Sequence, residues 1–574
     1  MPCYRFLSVL VVLSVALPVT AQVSFNSTIY PAPANSSLGF SVAADIDRDG
    51  KPDIIATDGS NPQLVVWYGT GGGKFGSPEF IGHLDGPSGN IAVGDFNNDG
   101  KLDILAATGQ SHAVDLLINQ GNRTFAVRPI PMPDSPNWVA VGDFNNDGKL
   151  DFAVSSSKPD TPDTVTNYMQ IFFGNGEGGF TAGQMLPLPS FATSFIIPRD
   201  LNKDGKIDLV VLGAPTTIFL NNGDGTFTAG QTFDAPIFGT YNSGTVGDLN
   251  GDAAPDLALT SMTFCGPGCG EDTTLESWVN DGTGHFTKKL PQLPVVITDA
   301  LGQLVDLADL NYDGKLDMVF ESDRGLGNAL GKGNGTFGAV QQVVTNGFFG
   351  NAGISGLLTY DLKNDGQMDI VSTSLASLLV ELNTSAKPDC VPPNSSAAGS
   401  TVCSPASGEK VGATFPVRAA GNGPVDILRM EEWLDGKKVF QSLSNQLRNN
   451  ITVTVGPHTL TIVTVDVLNT ITKKSVSLSA IACSAPATAG VRICTPTAGS
   501  KVGSPVSVVA ASTPPSGTSI TAIRLYVDNR AKTTAGGSRL STSVSLAAGL
   551  HHLTVVAYES NGHALTSSET ITVP

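Results

Sequence analysis

Seven short runs in this chain carry oxygen-bearing side chains at fixed intervals, and two of them (AVGDFNNDGKLD, residues 92–103 and 140–151) are identical over twelve residues. Each run follows D-x-[DN]-x-D-G-x-x-D, with single departures in the fifth and seventh. The side chains in question are Asp45, Asp47, Asp49 and Asp53; Asp95, Asn97, Asp99 and Asp103; Asp143, Asn145, Asp147 and Asp151; Asp200, Asn202, Asp204 and Asp208. They continue as Asp248, Asn250, Asp252 and Asp256; Asp309, Asn311, Asp313 and Asp317; and Asp361, Asp365 and Asp369. When such a chain curls tightly, oxygens at positions 1, 3, 5 and 9 converge and the carbonyl of position 7 joins them. The glycine at position 6 admits a positive φ without a Cβ clash. Several hard oxygens on a flexible turn suit calcium, whereas magnesium demands a stricter octahedron. The expectation is up to seven Ca2+ sites.

An EF-hand begins the same way but needs a bidentate glutamate at position 12, where this chain has residues such as Ala56 and Ala106. Short apolar stretches flank the runs, Ile91-Ala-Val93 before and Ile104-Leu-Ala106 after, and read as strands rather than helices. The copies are unequal. The first, with Asp47 at position 3, is the most anionic and is expected to bind most tightly. Ala253 replaces the glycine of the fifth, at a cost of about 1 kcal/mol if the backbone there is left-handed. Lys363 replaces the position-3 oxygen of the seventh, so its ammonium is expected to pair with Asp361, Asp365 and Asp369 and leave that site weak or empty.

The elements that must position these loops follow from spacing. Successive first aspartates lie 50, 48, 57, 48, 61 and 52 residues apart, the period of an array whose units cannot each bury a core alone. Between the runs lie glycine-rich turns ending in Phe75, Phe125, Phe180, Phe227, Phe286 and Phe337, which read as hairpins entering an outer strand. Only six exist, and the missing outer strand is supplied by residues 23–30. Borrowing it closes a ring and removes its free edges. The expected fold class is all-β, a seven-bladed β-propeller followed by two β-sandwich domains.

The alternation of aspartate loops and glycine-rich turns before phenylalanine resembles FG-GAP/VCBS repeats, the repeats of the integrin α-chain propeller. The resemblance covers roughly residues 23–386. It implies calcium loops on one face, joining the first and second strands of each blade and stabilising the fold, with ligands engaging the opposite face.

After Pro388 the aspartate loops stop and Ser, Thr, Val and Ala dominate. CSPASGEKVGATFPVRAA from Cys403 matches CTPTAGSKVGSPVSVVAA from Cys494, and GPHTLTIVTVD from Gly456 matches GLHHLTVVAYE from Gly549. Two sandwiches of about ninety residues follow, similar to bacterial Ig-like modules. The expected organisation is a signal peptide at 1–21, the propeller at 22–387, and Ig-like domains at 388–484 and 485–574. His458 and His551 occupy equivalent positions, which points to a structural role.

The first 21 residues have one basic residue, an apolar stretch and Val19-Thr20-Ala21 before Gln22, a secretory signal cleaved near Ala21. No later segment has the unbroken apolar length of a membrane helix. The expectation is a secreted or cell-surface protein without membrane insertion, and a monomer. Six cysteines then remain, suiting an oxidising compartment: Cys265 with Cys269, Cys390 with Cys403, and Cys483 with Cys494 are expected to pair, although spacing leaves other connectivities open. A zinc site is disfavoured because no histidine lies near any couple. The formal charge of −18 belongs to the loops: without their 22 aspartates the chain would sum to +4. Nothing resembles a basic nucleic-acid patch.

No catalytic residue is assigned. The chain has no H-E-x-x-H, G-x-S-x-G or P-loop. The third and fifth units are the longest, with extra residues around Tyr168 and across 261–278, ending at Trp278. Those insertions are expected on the face opposite the loops, beside Trp138, Phe191, Phe238, Tyr241 and Phe348, where aromatics suit sugar or peptide binding. The competing expectation is that these rings plug the channel or pack between blades. The functional expectation is an extracellular binding or adhesion module for a glycan or protein, the C-terminal pair acting as spacer. The alternatives are a polysaccharide-active lyase or hydrolase, and a purely structural surface protein.

Overall fold

The computed structural model describes residues 23–161, 164–189, 191–234, 239–263, 272–289, 293–295, 304–322, 325–343, 354–385, 388, 390–393 and 398–574. The expected signal peptide, Phe238, Phe348 and the Cys265–Cys269 pair lie outside these residues. Strands carry the described fold; the one helical element among them is a single 3-10 turn, Gly109–Ser111.

Residues 25–383 form seven antiparallel sheets of four or five strands, apart from a small extra hairpin in the first. The second sheet shows the pattern, running Asn90–Gly94, Asp103–Thr108, Ala113–Gly121 and Thr124–Pro131 in consecutive order. Every residue of Asp103–Thr108 is buried, because the sheet is covered on both faces by its neighbours; hence an unbroken apolar run rather than an alternating one. The outer strand Thr124–Pro131 faces solvent and is mostly exposed or half-buried. In the seventh sheet the N-terminal strand Phe25–Pro31 pairs antiparallel with Ser377–Asn383, Phe25 opposite Asn383 and Pro31 opposite Ser377. The innermost strand of each sheet packs on that of the next, and Gly356–Tyr360 of the seventh packs on Leu38–Ala44 of the first. The fold is β-propeller-like.

The repeated phenylalanines stitch adjacent sheets. Phe180 packs edge-on against Phe96, 5.8 Å between ring centres, and Phe227 against Phe144 at 5.7 Å. In both pairs the partner is position 2 of the preceding oxygen-rich loop. Phe286 shares a buried cluster with Leu201, and Phe337 with Leu249, in the same register.

A second stitch is polar. The amide of Asn119 donates to the carbonyl of Ile46 in the preceding loop (2.8 Å) and to Leu102 in its own (3.0 Å). Asn221 does the same to Phe144 and Ile207, Asn280 to Leu201 and Pro255, and Asn383 to Leu310 and Met368. Where the repeat has glycine instead, a backbone N–H takes over: Gly178 donates to Phe96 and Gly335 to Leu249. The position-2 residues whose carbonyls accept these bonds are buried, so each carbonyl would cost free energy if left unpaired.

Residues 399–480 and 490–573 each form two facing sheets around one apolar core. The first joins Gly399–Ser404, Thr414–Asn422 and Gln446–Thr452 to a five-stranded sheet, with Phe415, Val417, Leu447, Leu460 and Ile462 between them. The second places Val508, Ile523, Leu525, Leu553 and Val555 in the same way. Disulfides Cys390–Cys403 and Cys483–Cys494 tie the entering segment of each unit to its first strand.

His458 and His551 hold matching turns. His458 Nδ1 lies 2.6 Å from Asp435 Oδ2 and Nε2 lies 2.8 Å from the Thr454 carbonyl. His551 is set between Asp528 (2.7 Å) and the Ala547 carbonyl (2.8 Å). Both ring nitrogens face acceptors, so only the imidazolium satisfies both, and the hydrogen bond to aspartate raises each pKa above the usual histidine value. With the folded pKa raised, the contribution to stability is complete below about pH 6.5 and is lost as pH rises through the folded value. Near the surface it amounts to under about 1 kcal/mol per pair. The difference in urea midpoint between the native chain and a His458→Gln, His551→Gln variant is therefore expected to shrink from pH 5.5 to pH 8. A constant difference would show that charge plays no part.

The first C-terminal unit does not trail as a spacer; it packs on the face bearing the oxygen-rich loops. Pro424 accepts from the Asp45 N–H (3.1 Å), Tyr360 donates to the Gly423 carbonyl (3.3 Å), and Arg448 donates to the Tyr312 carbonyl. Val425 is buried in one cluster with Ala44 and Ile46.

Candidate metal centres and the interdomain groove

Each loop folds on its own carboxylates. In the second, the N–H groups of Asp99 and Gly100 donate to Asp95, the Asp99 N–H also to Asn97, and the Lys101 N–H to Asp99. The first, third, fourth and sixth repeat this pattern. Short polar side chains bonding their own backbone this way hold a turn against competing strand pairing. The side-chain oxygens of Asp45, Asp47 and Asp49 lie within 4.8 Å of one another. An all-oxygen donor set of this compactness fits a hard cation.

Two left-handed residues shape every loop. Position 6 has φ of 91° at Gly50 and 80° at Gly100, as the sequence requires. Position 4 is also left-handed although its side chains vary: φ is 62° at Arg48, 62° at Lys203 and 59° at Tyr312. Ala253 adopts φ 61° at position 6 of the fifth loop, so its Cβ is carried at a cost. Ala253→Gly is expected to stabilise the chain by about 0.5–1 kcal/mol, read as a higher urea midpoint. An unchanged or lower midpoint would show the strain to be absorbed elsewhere.

Position 9 has a role beyond the one its chemistry announced. Asp53, Asp103, Asp151, Asp208, Asp256, Asp317 and Asp369 are completely buried. Each uses one oxygen for the N–H of position 2 and the other for an N–H at the end of the third strand. For Asp151 these donors are Phe144 (2.9 Å) and Gly174 (2.8 Å); for Asp208 they are Leu201 (2.9 Å) and Asn221 (2.8 Å). Burial pushes the carboxyls of Asp103, Asp151 and Asp208 up to about 6 and those of Asp53, Asp256 and Asp317 up to about 7, against the pull of the two N–H donors.

Cationic side chains already touch these loops. Lys51, Lys206 and Lys315 pair with the position-5 carboxylates Asp49, Asp204 and Asp313 at 2.5, 3.0 and 3.1 Å. Arg123 from the second sheet pairs with Asp47 at 2.8 Å and lies over the Tyr68 ring, so the extra charge of the first loop has a protein partner. In the seventh loop the Lys363 ammonium lies 3.4 Å from both Asp365 and Asp369 and donates to Gln367 (2.9 Å) and the Asn383 carbonyl (2.8 Å).

The aromatics do not make an exposed platform, and the ligand-face expectation is corrected for those whose side chains are described. Tyr241 is completely buried, donating to Glu276 at 2.8 Å; Trp278 is buried and stacked on Phe233 at 4.2 Å. Tyr168 is buried with its hydroxyl on Asp134 (2.8 Å). Trp138 stacks on Phe195 of the fourth sheet (3.9 Å) and meets Phe40 of the first edge-on (4.9 Å). Contact between non-adjacent sheets runs across the axis, so these three rings fill the channel. Phe191 opens the strand Phe191–Arg199.

Below the aromatic plug a cavity of about 140 Å3 lies between the ring and the first C-terminal unit, lined by Arg199, Asp306, Thr359, Tyr360 and Asp426. Asp306 accepts from the Thr359 N–H (2.7 Å) and the Thr359 and Thr245 hydroxyls. Asp426 is open to this cavity, yet the protein enclosing it raises its carboxyl to about 7. A larger groove of about 410 Å3 continues outward from Arg199, between the fourth and fifth loops and the strands Ile427–Leu434 and Lys437–Ser442. Sequence reasoning missed both, since nothing periodic marks where a second domain will dock.

A family profile described as FG-GAP-like repeat matches residues 45–106, 99–154, 200–259 and 309–372. FG-GAP-like repeats are thus present in four stretches, which together contain all seven oxygen-rich loops. No curated protein matches the chain. Among solved structures, a lectin of Agrocybe aegerita that recognises non-reducing terminal N-acetylglucosamine is 18% identical, over 74% of this chain and 99% of the lectin, with a TM-score of 0.37. The fibronectin(III)-like modules of Clostridium thermocellum CbhA are 18% identical over 30% of this chain and 94% of theirs, with a TM-score of 0.15.

Proposed function

We propose that this chain is a secreted, calcium-stapled seven-bladed β-propeller with two C-terminal Ig-like domains, at residues 22–387, 388–484 and 485–574, acting as an extracellular binding module for a glycan or protein ligand. The observation that carries the reading is the repeat itself: FG-GAP-like stretches enclosing seven oxygen-rich loops on one face of a β-propeller-like ring. In it, Ca2+ would be held by positions 1, 3 and 5, the carbonyl of position 7 and the outer lone pairs of position 9. Its contribution is electrostatic, neutralising carboxylates that otherwise repel. Two disulfides are compatible with an extracellular protein, and no helix among the described residues is long and apolar enough to cross a membrane.

The test is a panel of polysaccharides and matrix proteins incubated with the purified mature chain in calcium, recording both retained protein and newly released sugar ends. Retention without product supports the binding reading. Product formation overturns it in favour of an enzyme, and silence on both readouts removes ligand binding from the account.

A further inference from the structure

The binding reading leaves its ligand and its site open, and the strongest unassigned feature lies not on the far face of the ring but in the groove between the ring and the first C-terminal unit. This chain carries a formal charge of −18, yet four cations, Arg199, Lys203, Arg429 and Lys438, line that groove against two carboxylates, Asp200 and Glu431. Glu431 is already satisfied, held by Arg429 (2.9 Å), Lys438 (2.7 Å) and the Trp433 indole N–H (2.9 Å). Arg199 is not. Its guanidinium has five N–H donors, and its one hydrogen bond among the described residues is a long contact of 3.5 Å to the adjacent Pro198 carbonyl. Asp306 and Asp426 act on it electrostatically, without an ion pair to either among the described residues. A half-buried guanidinium with donors to spare among the described residues, at the junction of two cavities, is stabilised by an anion that brings oxygen acceptors to it.

The remaining wall fixes the kind of anion. Val439, 44% exposed, and Phe440 present apolar surface beside the cations. A pyranose offers an apolar face together with polar edges, and about 410 Å3 accommodates one or two sugar rings. An extended acidic peptide would need a longer trough. We propose that this groove binds a uronate-bearing oligosaccharide, its carboxylate received by Arg199 and Arg429 and its ring face lying on Val439 and Phe440. The inference rests on the glycan-binding reading and names its ligand class and place. It also gives the docking of the first C-terminal unit a purpose, because neither domain supplies the four cations alone.

The experiment is calorimetric titration of the full mature chain, in calcium, with trigalacturonate, its methyl ester, inorganic sulfate and hexaglutamate. Trigalacturonate is expected to bind and the methyl ester to bind at least about tenfold more weakly, the loss of a charge-assisted hydrogen bond. Arg429→Gln and the more exposed Lys438→Gln are each expected to weaken binding by about tenfold, and Arg199→Gln to abolish it. Thermal unfolding of the same samples separates these effects from misfolding. Equal binding of the methyl ester, sulfate or hexaglutamate overturns the uronate assignment. If a glycan from the panel is retained while all three variants bind it as the native chain does, the groove is not the site and the binding reading stands. If the chain retains nothing, the reading itself falls.

Discussion

Chelation of calcium with EGTA is expected to lower the unfolding midpoint of the seven-sheet ring by about 15 °C or more. A ligand that binds only the folded state at one hundred times its Kd stabilises by about 2.7 kcal/mol per site, and six competent loops together approach about 16 kcal/mol. For a unit of this size each kcal/mol shifts the midpoint by roughly 1–2 °C, somewhat less than for smaller domains. The structure shows why the sum is large. The loops concentrate 22 aspartates, and the closest trio brings its oxygens within 4.8 Å. The lysines at position 7 each touch a single carboxylate oxygen, so each neutralises only one of the several carboxylates in its loop. The effect extends past the ring, because the first C-terminal unit leans on the same loops through Pro424, Val425 and Arg448. Differential scanning calorimetry with calcium and with EGTA checks this, and superimposable traces would remove the metal from the account. Lys363→Asn sharpens the test. Restoring the position-3 oxygen of the seventh loop is expected to add one further EGTA-sensitive increment, since the ammonium beside Asp365 and Asp369 is gone.

What the sequence disclosed and what it withheld divide along a physical line. Glycine at position 6 was legible because its φ follows from the absence of a Cβ. The left-handed residue at position 4 was not, because Arg48, Lys203 and Tyr312 share no feature except the turn they occupy. The closing strand was legible by subtraction: six glycine-rich turns for seven loops left one outer strand to find, and Phe25–Pro31 pairs with Ser377–Asn383. The asparagines that stitch neighbouring sheets carried a signal that went unread. Asn119, Asn221 and Asn280 each open a glycine-rich turn, and glycine stands in their place in the third and sixth sheets. The aromatics misled because a ring near the end of a strand packs as readily as it binds. Trp138 and Tyr241 satisfy their surfaces inside the molecule. Above all, no one-dimensional pattern announces a domain interface. Arg199 reads in sequence as the residue before Asp200, and only the arrival of Arg429 and Lys438 from the next domain gives it surroundings.

Replacing Asp151 by alanine is expected to destabilise the chain by about 3–5 kcal/mol, and to do so whether or not calcium is present. The reason is a division of labour within one loop. Asn145 at position 3 is half-buried and, among the described residues, accepts from the Asp147 N–H, so its value is expected to depend on the cation it would help to hold. Asp151 at position 9 is completely buried, and its two oxygens are the acceptors for Phe144 and Gly174. Alanine leaves both donors unpaired where water does not reach, at about 1–3 kcal/mol each, and opens a small void. Asparagine rescues one donor and turns its own NH2 toward the other, so Asp151→Asn recovers at most about half. Urea midpoints of native, Asn145→Ala and Asp151→Ala chains, each in calcium and in EGTA, separate the two roles. The Asn145→Ala deficit is expected to vanish in EGTA, because the ligand it serves is absent from both samples. The Asp151→Ala deficit is expected to persist. Should it vanish as well, position 9 acts only through the metal, and the two backbone hydrogen bonds contribute nothing that solvent does not replace.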